Sequence, residues 1–472
     1  MPEPVLVVDM DGTLLRNDSL HEALARLAAE QPLGLIPAAL SLTGGKAAFK
    51  RKVADMVLAE ASEMAYRPEV RAKIDEARAE GRRVALVSAA DQRQVAAVAG
   101  HIGGFDEAIG TGADGTDGNL SGAGKAALLK ARYTDGFDYI GDAPVDRAVW
   151  EAARQAYVAG GSAGALRAAG PKAVALDGET PARFALLKAM RPHQWLKNAL
   201  IFVPVLASQQ FAALPQAIFA FIAFSLIASS VYIANDLIDL KADRAHPRKR
   251  KRPFAAADVS LAKGAMLGGG LILGGAVFAA ALLPAAFLAI LFLYLALTLG
   301  YSLRLKRMMI VDIWTLAGLY TVRIFAGAVA TGVVVSPWLL TFSMFLFLCL
   351  AAIKRQAELA DLAKRGQDVS AGRGYVAGDL PVLRIIAVAS GYAAVLVFAL
   401  YINSPAVALV YAAPVYLWAV CPILLFWVSH IVMATHRGLM EDDPLIFAIR
   451  DRTSLACGAA SVLVFALASL TA

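Results

Sequence analysis

The sequence predicts two fold classes in one chain: an N-terminal α/β domain followed by an all-α membrane bundle of nine transmembrane helices. Three observations carry this. Hydrophobic residues make up 58% of the 472 and charged residues only 18%, an apolar balance for a chain of this length. Charge is spread as in a soluble protein up to about residue 185, and long uncharged stretches follow. Apolar stretches long enough to span a bilayer are centred near residues 203, 225, 271, 293, 321, 346, 391, 420 and 462, the first of them short and interrupted by Pro204. The domains are expected at 1–177 and 191–472, joined by a linker and interfacial helix over 178–190 that is rich in Gly, Ala and Pro at its start.

The first element is Val5-Leu6-Val7-Val8, a buried parallel strand that ends in Asp9-Met10-Asp11-Gly12-Thr13. Open α/β sheets bind their ligands at such strand ends. No basic stretch with an apolar core precedes this strand, so the first domain is expected in the cytosol. Residues 15–80 are rich in Ala, Leu, Glu and Arg and read as a helical insert, after which come Val84-Ala85-Leu86-Val87-Ser88, then Lys125, then Gly141-Asp142-Ala143-Pro144-Val145-Asp146. A last strand is expected at Lys172–Leu176. The three cysteines, Cys349, Cys421 and Cys457, stand singly in apolar segments without metal-ligand spacing and read as buried and reduced.

Taken in order, these motifs resemble the haloacid-dehalogenase superfamily of phosphatases, over about residues 1–177. The resemblance implies a Rossmann-like fold with a helical cap. It also implies that Asp9 attacks phosphorus, and that Asp11 protonates the leaving oxygen and then activates water. Ser88 and Lys125 would hold the phosphoryl oxygens. Asp9, the carbonyl of Asp11, Asp142 and Asp146 would hold Mg²⁺.

In the second half the connections after the second, fourth, sixth and eighth spans are basic, carrying among others Lys241–Arg252, Arg304-Lys306-Arg307, Lys354-Arg355 and Arg437 with Arg450 and Arg452, while the intervening ones are uncharged. The positive-inside rule places every charged loop in the cytosol of a multi-pass protein of the bacterial inner membrane, on the side of the first domain. Reactive groups then gather at one membrane face, unlike the two-sided access of a transporter. The densest group is Asn235-Asp236-Leu237-Ile238-Asp239-Leu240-Lys241-Ala242-Asp243. Its carboxylates are spaced i, i+3 and i+7, which on a helix puts them on one face, able to share a divalent metal. The basic run that follows suits the outer oxygens of a diphosphate.

This stretch, with Tyr301-Ser302-Leu303-Arg304-Leu305-Lys306, resembles the UbiA-type membrane transferases over about residues 186–472. Where that family has a second Asp-rich motif, this chain has Ile353-Lys354-Arg355-Gln356-Ala357-Glu358-Leu359-Ala360-Asp361, two acids and two bases suited to a further anion. Arg191-Pro192-His193-Gln194-Trp195-Leu196-Lys197-Asn198 and the stretch from Asp312 through Arg323-Ile324-Phe325-Ala326-Gly327 look like the decaprenyl-phosphate phosphoribosyltransferase branch. That resemblance implies Mg²⁺-dependent transfer of 5-phosphoribosyl from phosphoribosyl diphosphate to a polyprenyl phosphate. Asp236, Asp239 and Asp243 would hold metal and diphosphate, oriented by Asn235. Lys197, Lys306, Arg323, Lys354 and Arg355 are candidates for the remaining phosphates, and Glu358 for completing the metal site or orienting a cation. The first domain would remove the 5-phosphate of the product. Two alternatives stay open on sequence alone: a prenyltransferase taking a prenyl diphosphate and an aromatic or small polar acceptor, and a non-enzymatic lipid-binding or transport module. Nothing in the sequence indicates nucleic-acid binding, since the +7 net charge comes largely from loops beside a membrane.

Overall fold

A computed structural model describes residues 3–113, 120–178, 182–364, 366, 373–440 and 443–470. The chain divides into two compact units, Met1–Met190 with Tyr232–Gly269, and Arg191–Val231 with Gly270–Ala472. The first thus takes in the acidic segment that the sequence reading placed in the second domain. Residues 179–181 of the expected linker lie outside the described residues; after them comes a short helix, Ala185–Ala189.

The first unit is built on a six-stranded sheet of β1 (Val5–Val8), β2 (Val84–Asp91), β3 (Glu107–Thr111), β4 (Phe137–Gly141), β5 (Ala156–Ala159) and β6 (Val174–Leu176), in the order β3-β2-β1-β4-β5-β6. Every pairing is parallel. Such a sheet is covered on both faces, which explains why its strands are apolar runs and not alternating ones. Successive β1 side chains enter opposite cores: Leu6 and Val8 pack with Leu86, Val70 and Ile74, while Val7 packs with Val87, Leu129 and Tyr139. The insert is helical as expected, with Ser19–Glu30, Leu35–Leu40 and Gly45–Met56. Its two ends are tied at the base, where Arg16 donates to the Ala65 carbonyl at 2.8 Å and Arg67 to that of Leu14 at 2.9 Å.

Among the described residues eight helices are long and apolar enough to cross a membrane: Phe211–Ile238, Leu261–Leu282, Ala285–Leu303, Val311–Thr331, Pro337–Lys364, Ala377–Ile402, Pro414–His436 and Arg452–Leu470. The ninth segment, expected near residue 203, forms instead a 3₁₀ stretch over Pro192–Phe202 and a short helix over Val203–Ser208. Pro204 explains the break, because its missing N–H and fixed φ suit the first turn of a helix and not its interior. Cys349 and Cys421 are buried, as expected, but Cys457 is only half-buried.

The 3₁₀ stretch packs closely on Val311–Thr331. A β-carbon at Gly327 would come 2.0 Å from the Ile201 carbonyl oxygen, so only glycine fits. Gly327→Ala should cost about 2 kcal/mol or more of stability by overpacking, read as a lower unfolding midpoint in detergent. Gly318→Ala, on the same helix with nothing within 4 Å, is the matched control and should not lower it.

Two candidate active sites

In the first unit, β1, β2 and β4 lie side by side with Val8 in register with Leu86 on one flank and Ile140 on the other. Asp9 follows Val8, Ser88 lies two residues past Leu86, and Asp142 two past Ile140, so all three come together at the carboxyl ends of neighbouring strands. Asp9, Asp142 and Asp146 each offer an oxygen within 4.8 Å of the others, the one such group of three among the described residues. Lys125 comes from helix Gly122–Arg132 and donates to Asp9 Oδ1 at 2.8 Å and to the Tyr139 hydroxyl at 3.1 Å. Tyr139 in turn donates to Asp146 at 2.9 Å and Thr13 to Asp142 at 3.1 Å. Ser88 is buried, its hydroxyl accepting from the Ala90 N–H at 3.2 Å.

Gly12 shapes this pocket. Its φ is +77°, and a β-carbon there would lie 2.4 Å from an Asp142 carboxylate oxygen, so the turn after β1 admits no side chain. The Asp11 carboxylate turns aside to accept the Ser19 N–H at 2.7 Å. Burial, helped by Asp18 and then Asp9, pushes its pKa up to about 7, a value suited to donating and accepting a proton near neutral pH. The helical insert adds Lys50, which donates to the Ala89 carbonyl at 2.7 Å. It lines a cavity with Asp11, Leu20, Ala23, Val53 and Val57.

The donor set fits Mg²⁺: hard carboxylate oxygens, crowded and short of positive charge. Burial, then Asp9 and Asp146, pushes Asp142 up to about 7; burial and Asp9 push Asp146 up to about 6. Their folded-state pKa values exceed the ordinary 3.8, so in the absence of metal their contribution to stability is complete at acid pH and is lost as pH rises through about 6 to 7. A bound cation removes that loss. Mg²⁺ should therefore raise the unfolding midpoint of this unit more at about pH 8 than at about pH 5, and Asp142→Asn should remove most of the difference.

The second acidic group crosses a helix end. Leu214–Ile238 stops before Asp239, which begins Leu240–Ala245. The turn stays helix-like, with Asp239 N–H donating to the Asn235 carbonyl and Asp243 N–H to that of Asp239, each at 2.8 Å. Asp236 and Asp243 are buried and share Arg252, whose Nη1 donates to them at 3.1 and 2.6 Å. Sequence reasoning took Arg252 only as one of a basic run. Asp239 does not join Asp236 and Asp243 in a group of three oxygens within 4.8 Å of one another, though two carboxylates on one cation are donors that Mg²⁺ also takes. Arg244, next to Asp243, makes a two-pronged ion pair with Glu22 at 2.7 and 2.9 Å, and Lys241 reaches Glu63 at 2.7 Å.

In the second unit the expected cations separate into two groups. Arg355 is fully buried and bound through two donors to Asp312, at 2.7 and 3.0 Å; Tyr301 donates to the same carboxylate at 2.9 Å. Glu358 pairs with Arg355 and, at 3.3 Å, with Arg373, the contacts of a residue that orients cations. The other group is Lys197, Lys354 and Arg323. Arg323 donates to Asn198 at 2.9 Å and lies over the rings of Phe224, Tyr294 and Tyr320 at 5.1 to 5.8 Å. Lys197 and Lys354 both reach Asp443, at 2.5 and 3.4 Å. Although burial pushes the Asp443 carboxyl up, Lys354 and Lys197 beside it hold it well below the ordinary range. Lys306 sits apart from both groups in sequence, in the turn Leu305–Arg307. Asp312, Asp443 and Asn198 were not among the expected site residues, and Asp443, the last of Glu441-Asp442-Asp443 before Pro444, gives only a helix-start signal.

Comparison with known proteins adds the following. The profile of the UbiA prenyltransferase family matches residues 199–447, and that of haloacid dehalogenase-like hydrolases matches residues 6–151. An uncharacterized protein, y4nM, of Sinorhizobium fredii is 37% identical over 98% of this chain and 90% of its own length. Nodulation protein NoeC of Azorhizobium caulinodans is 40% identical over 59% of this chain and 92% of its own. Decaprenyl-phosphate phosphoribosyltransferase of Mycobacterium tuberculosis is 36% identical over 38% of this chain and 61% of its own length.

Proposed function

Since the chain belongs to the UbiA prenyltransferase family and carries a haloacid dehalogenase-like hydrolase domain at its N-terminus, we propose that this integral membrane enzyme works in two steps on one lipid. It transfers 5-phosphoribosyl from phosphoribosyl diphosphate to a polyprenyl phosphate, then removes the 5-phosphate. The observation that carries the first step is the 36% identity to a decaprenyl-phosphate phosphoribosyltransferase, whose name supplies the acceptor and the group transferred. Lys197 and Lys354, which among the described residues share Asp443, agree with a reaction in which donor and acceptor both bear phosphate. The basic connections support a bacterial inner-membrane protein with its N-terminal domain in the cytosol.

In the transfer, an acceptor phosphate oxygen bonds to C1 of ribose as the C1–O bond to pyrophosphate breaks, and pyrophosphate leaves with the electron pair. Asp236, Asp239 and Asp243 would hold Mg²⁺, which when bound offsets the charge of the leaving diphosphate. Lys197, Lys354 and Arg323 hold phosphate; Asp312 and Glu358 fix Arg355.

In the hydrolysis, Asp9 attacks phosphorus and the bond to the ribose 5-oxygen breaks as Asp11 protonates that oxygen. Water, deprotonated by Asp11, then releases phosphate from Asp9. Ser88 and Lys125 hold the phosphoryl oxygens, and Asp9, Asp142 and Asp146 would hold the metal. Lys50, in the wall of the small cavity beside Asp11, adds a cation from the helical insert near the reacting group. One chain carrying both sites raises the effective concentration of the intermediate at the second into the range of about a millimolar.

The test is to supply detergent-purified protein and Mg²⁺ with ribose-labelled phosphoribosyl diphosphate and a polyprenyl phosphate. Label should enter the organic phase. Consumption of a prenyl diphosphate with an added aromatic acceptor, without lipid-linked label, would replace this reading with an ordinary prenyltransferase.

A further inference from the structure

Asp443 Oδ2 is the meeting point of three donors brought from far apart in the chain. Lys197 reaches it at 2.5 Å, Lys354 at 3.4 Å and the Tyr320 hydroxyl at 3.4 Å, while Oδ1 accepts the Leu445 N–H at 3.1 Å. Both ammonium groups reach one oxygen, so their nitrogens lie within about 6 Å of each other, close enough for both to bind one phosphate. Each ammonium has three donors, and one carboxylate oxygen does not use them all.

Among the described residues the cations of this unit are not paired alike. Arg355 and Arg373 are matched by Asp312 and Glu358. Lys197 and Lys354, by contrast, share the Asp443 carboxylate among the described residues, and Lys197 and Arg323 lie over the same Tyr320 ring, at 6.0 and 5.8 Å. The side chains of Lys197 and Asp443 are only 12% and 6% exposed. Two ammonium groups on one carboxylate, at a place where Lys197 and Asp443 are so little exposed, suit a ligand that brings further oxyanion charge, as a phosphate does.

We propose that Lys197, Lys354 and Tyr320 form a phosphate subsite whose oxyanion position is held in the empty protein by Asp443 Oδ2, an internal counter-ion that the substrate's phosphate displaces. Asp443 thereby keeps two lysines together that would otherwise repel, and sets the affinity low enough for product to leave. The inference rests on the transferase reading only for the ligand's identity. That ligand is a phosphate monoester, either the polyprenyl phosphate or the 5-phosphate of the sugar.

Binding, not turnover, tests this. Full-length protein carrying Asp9→Asn, which prevents hydrolysis, is titrated with farnesyl phosphate and separately with ribose 5-phosphate, with and without Asp443→Asn or Lys197→Met. Asparagine also caps helices well, so Asp443→Asn keeps the bond to Leu445 and removes only the charge. Asp443→Asn should tighten one of the two probes about tenfold and Lys197→Met weaken that same probe by at least as much, as expected for one charge-assisted hydrogen bond gained or lost. The probe that responds identifies the phosphate. If Asp443→Asn weakens both or changes neither, Asp443 is only a helix cap and the proposal is overturned. A failure of phosphoribosyl transfer would leave this result standing, because neither probe is turned over.

Discussion

Asp9→Asn should lower the phosphatase step by at least about a thousandfold, the scale expected when a nucleophile is lost, and should leave the transfer step untouched. With both substrates supplied, the mutant should accumulate a lipid that still carries the 5-phosphate, whereas the parent protein yields the dephosphorylated lipid. The substitution is nearly isosteric, and the Asn carbonyl can still accept from Lys125, which donates to Asp9 at 2.8 Å. Loss of fold is therefore not the expected cause, and an unchanged unfolding midpoint in Mg²⁺ would exclude it. The informative readout is the nature of the lipid product. If the parent protein also retains the 5-phosphate while hydrolysing other phosphate esters, the first domain acts on a different substrate and the two-step reading loses its second half.

The positions that come together in the first unit were legible because short-range pattern determines them. Asp9 and Asp142 sit at the ends of apolar runs that fold as adjacent parallel strands, and Asp146 follows Asp142 within one turn, so spacing along the chain translates into proximity. Tyr139, which links Lys125 to Asp146, reads as just another apolar strand residue. The helical insert was legible from composition. The segment near residue 203 was legible as the weakest of the apolar stretches, short and interrupted by Pro204, but its division into a 3₁₀ stretch and a short helix was not.

In the second unit the cations were visible and their carboxylate partners were not. Lys197 and Asp443 are 246 positions apart, Arg355 and Asp312 are 43 apart, and no periodicity joins residues on different spans. That pairing separates Arg355, held by Asp312, from Lys197 and Lys354, which among the described residues share Asp443. A sequence can rank cations only by their neighbours in the chain.

Asp236→Asn and Asp239→Asn should each lower lipid-linked product by about a hundredfold or more, and should raise the Mg²⁺ concentration needed for half-maximal rate, because each removes one charged oxygen from a site that must offset a leaving diphosphate. The two differ in burial. Asp236 is buried and accepts from Arg252 at 3.1 Å, so its loss also frees part of that guanidinium, whereas Asp239 is only half-buried. Asp236→Asn should therefore also lower the unfolding midpoint, and Asp239→Asn should act on turnover with little effect on stability. Arg252→Met supplies the control. It removes the shared partner of Asp236 and Asp243 without removing a carboxylate, so it should weaken the diphosphate substrate and leave the Mg²⁺ requirement in place. Lipid binding retained by both Asp variants, with no change in any turnover, would favour a lipid-binding module over an enzyme at this segment. Turnover lost together with its Mg²⁺ dependence would tie the chemistry to these carboxylates.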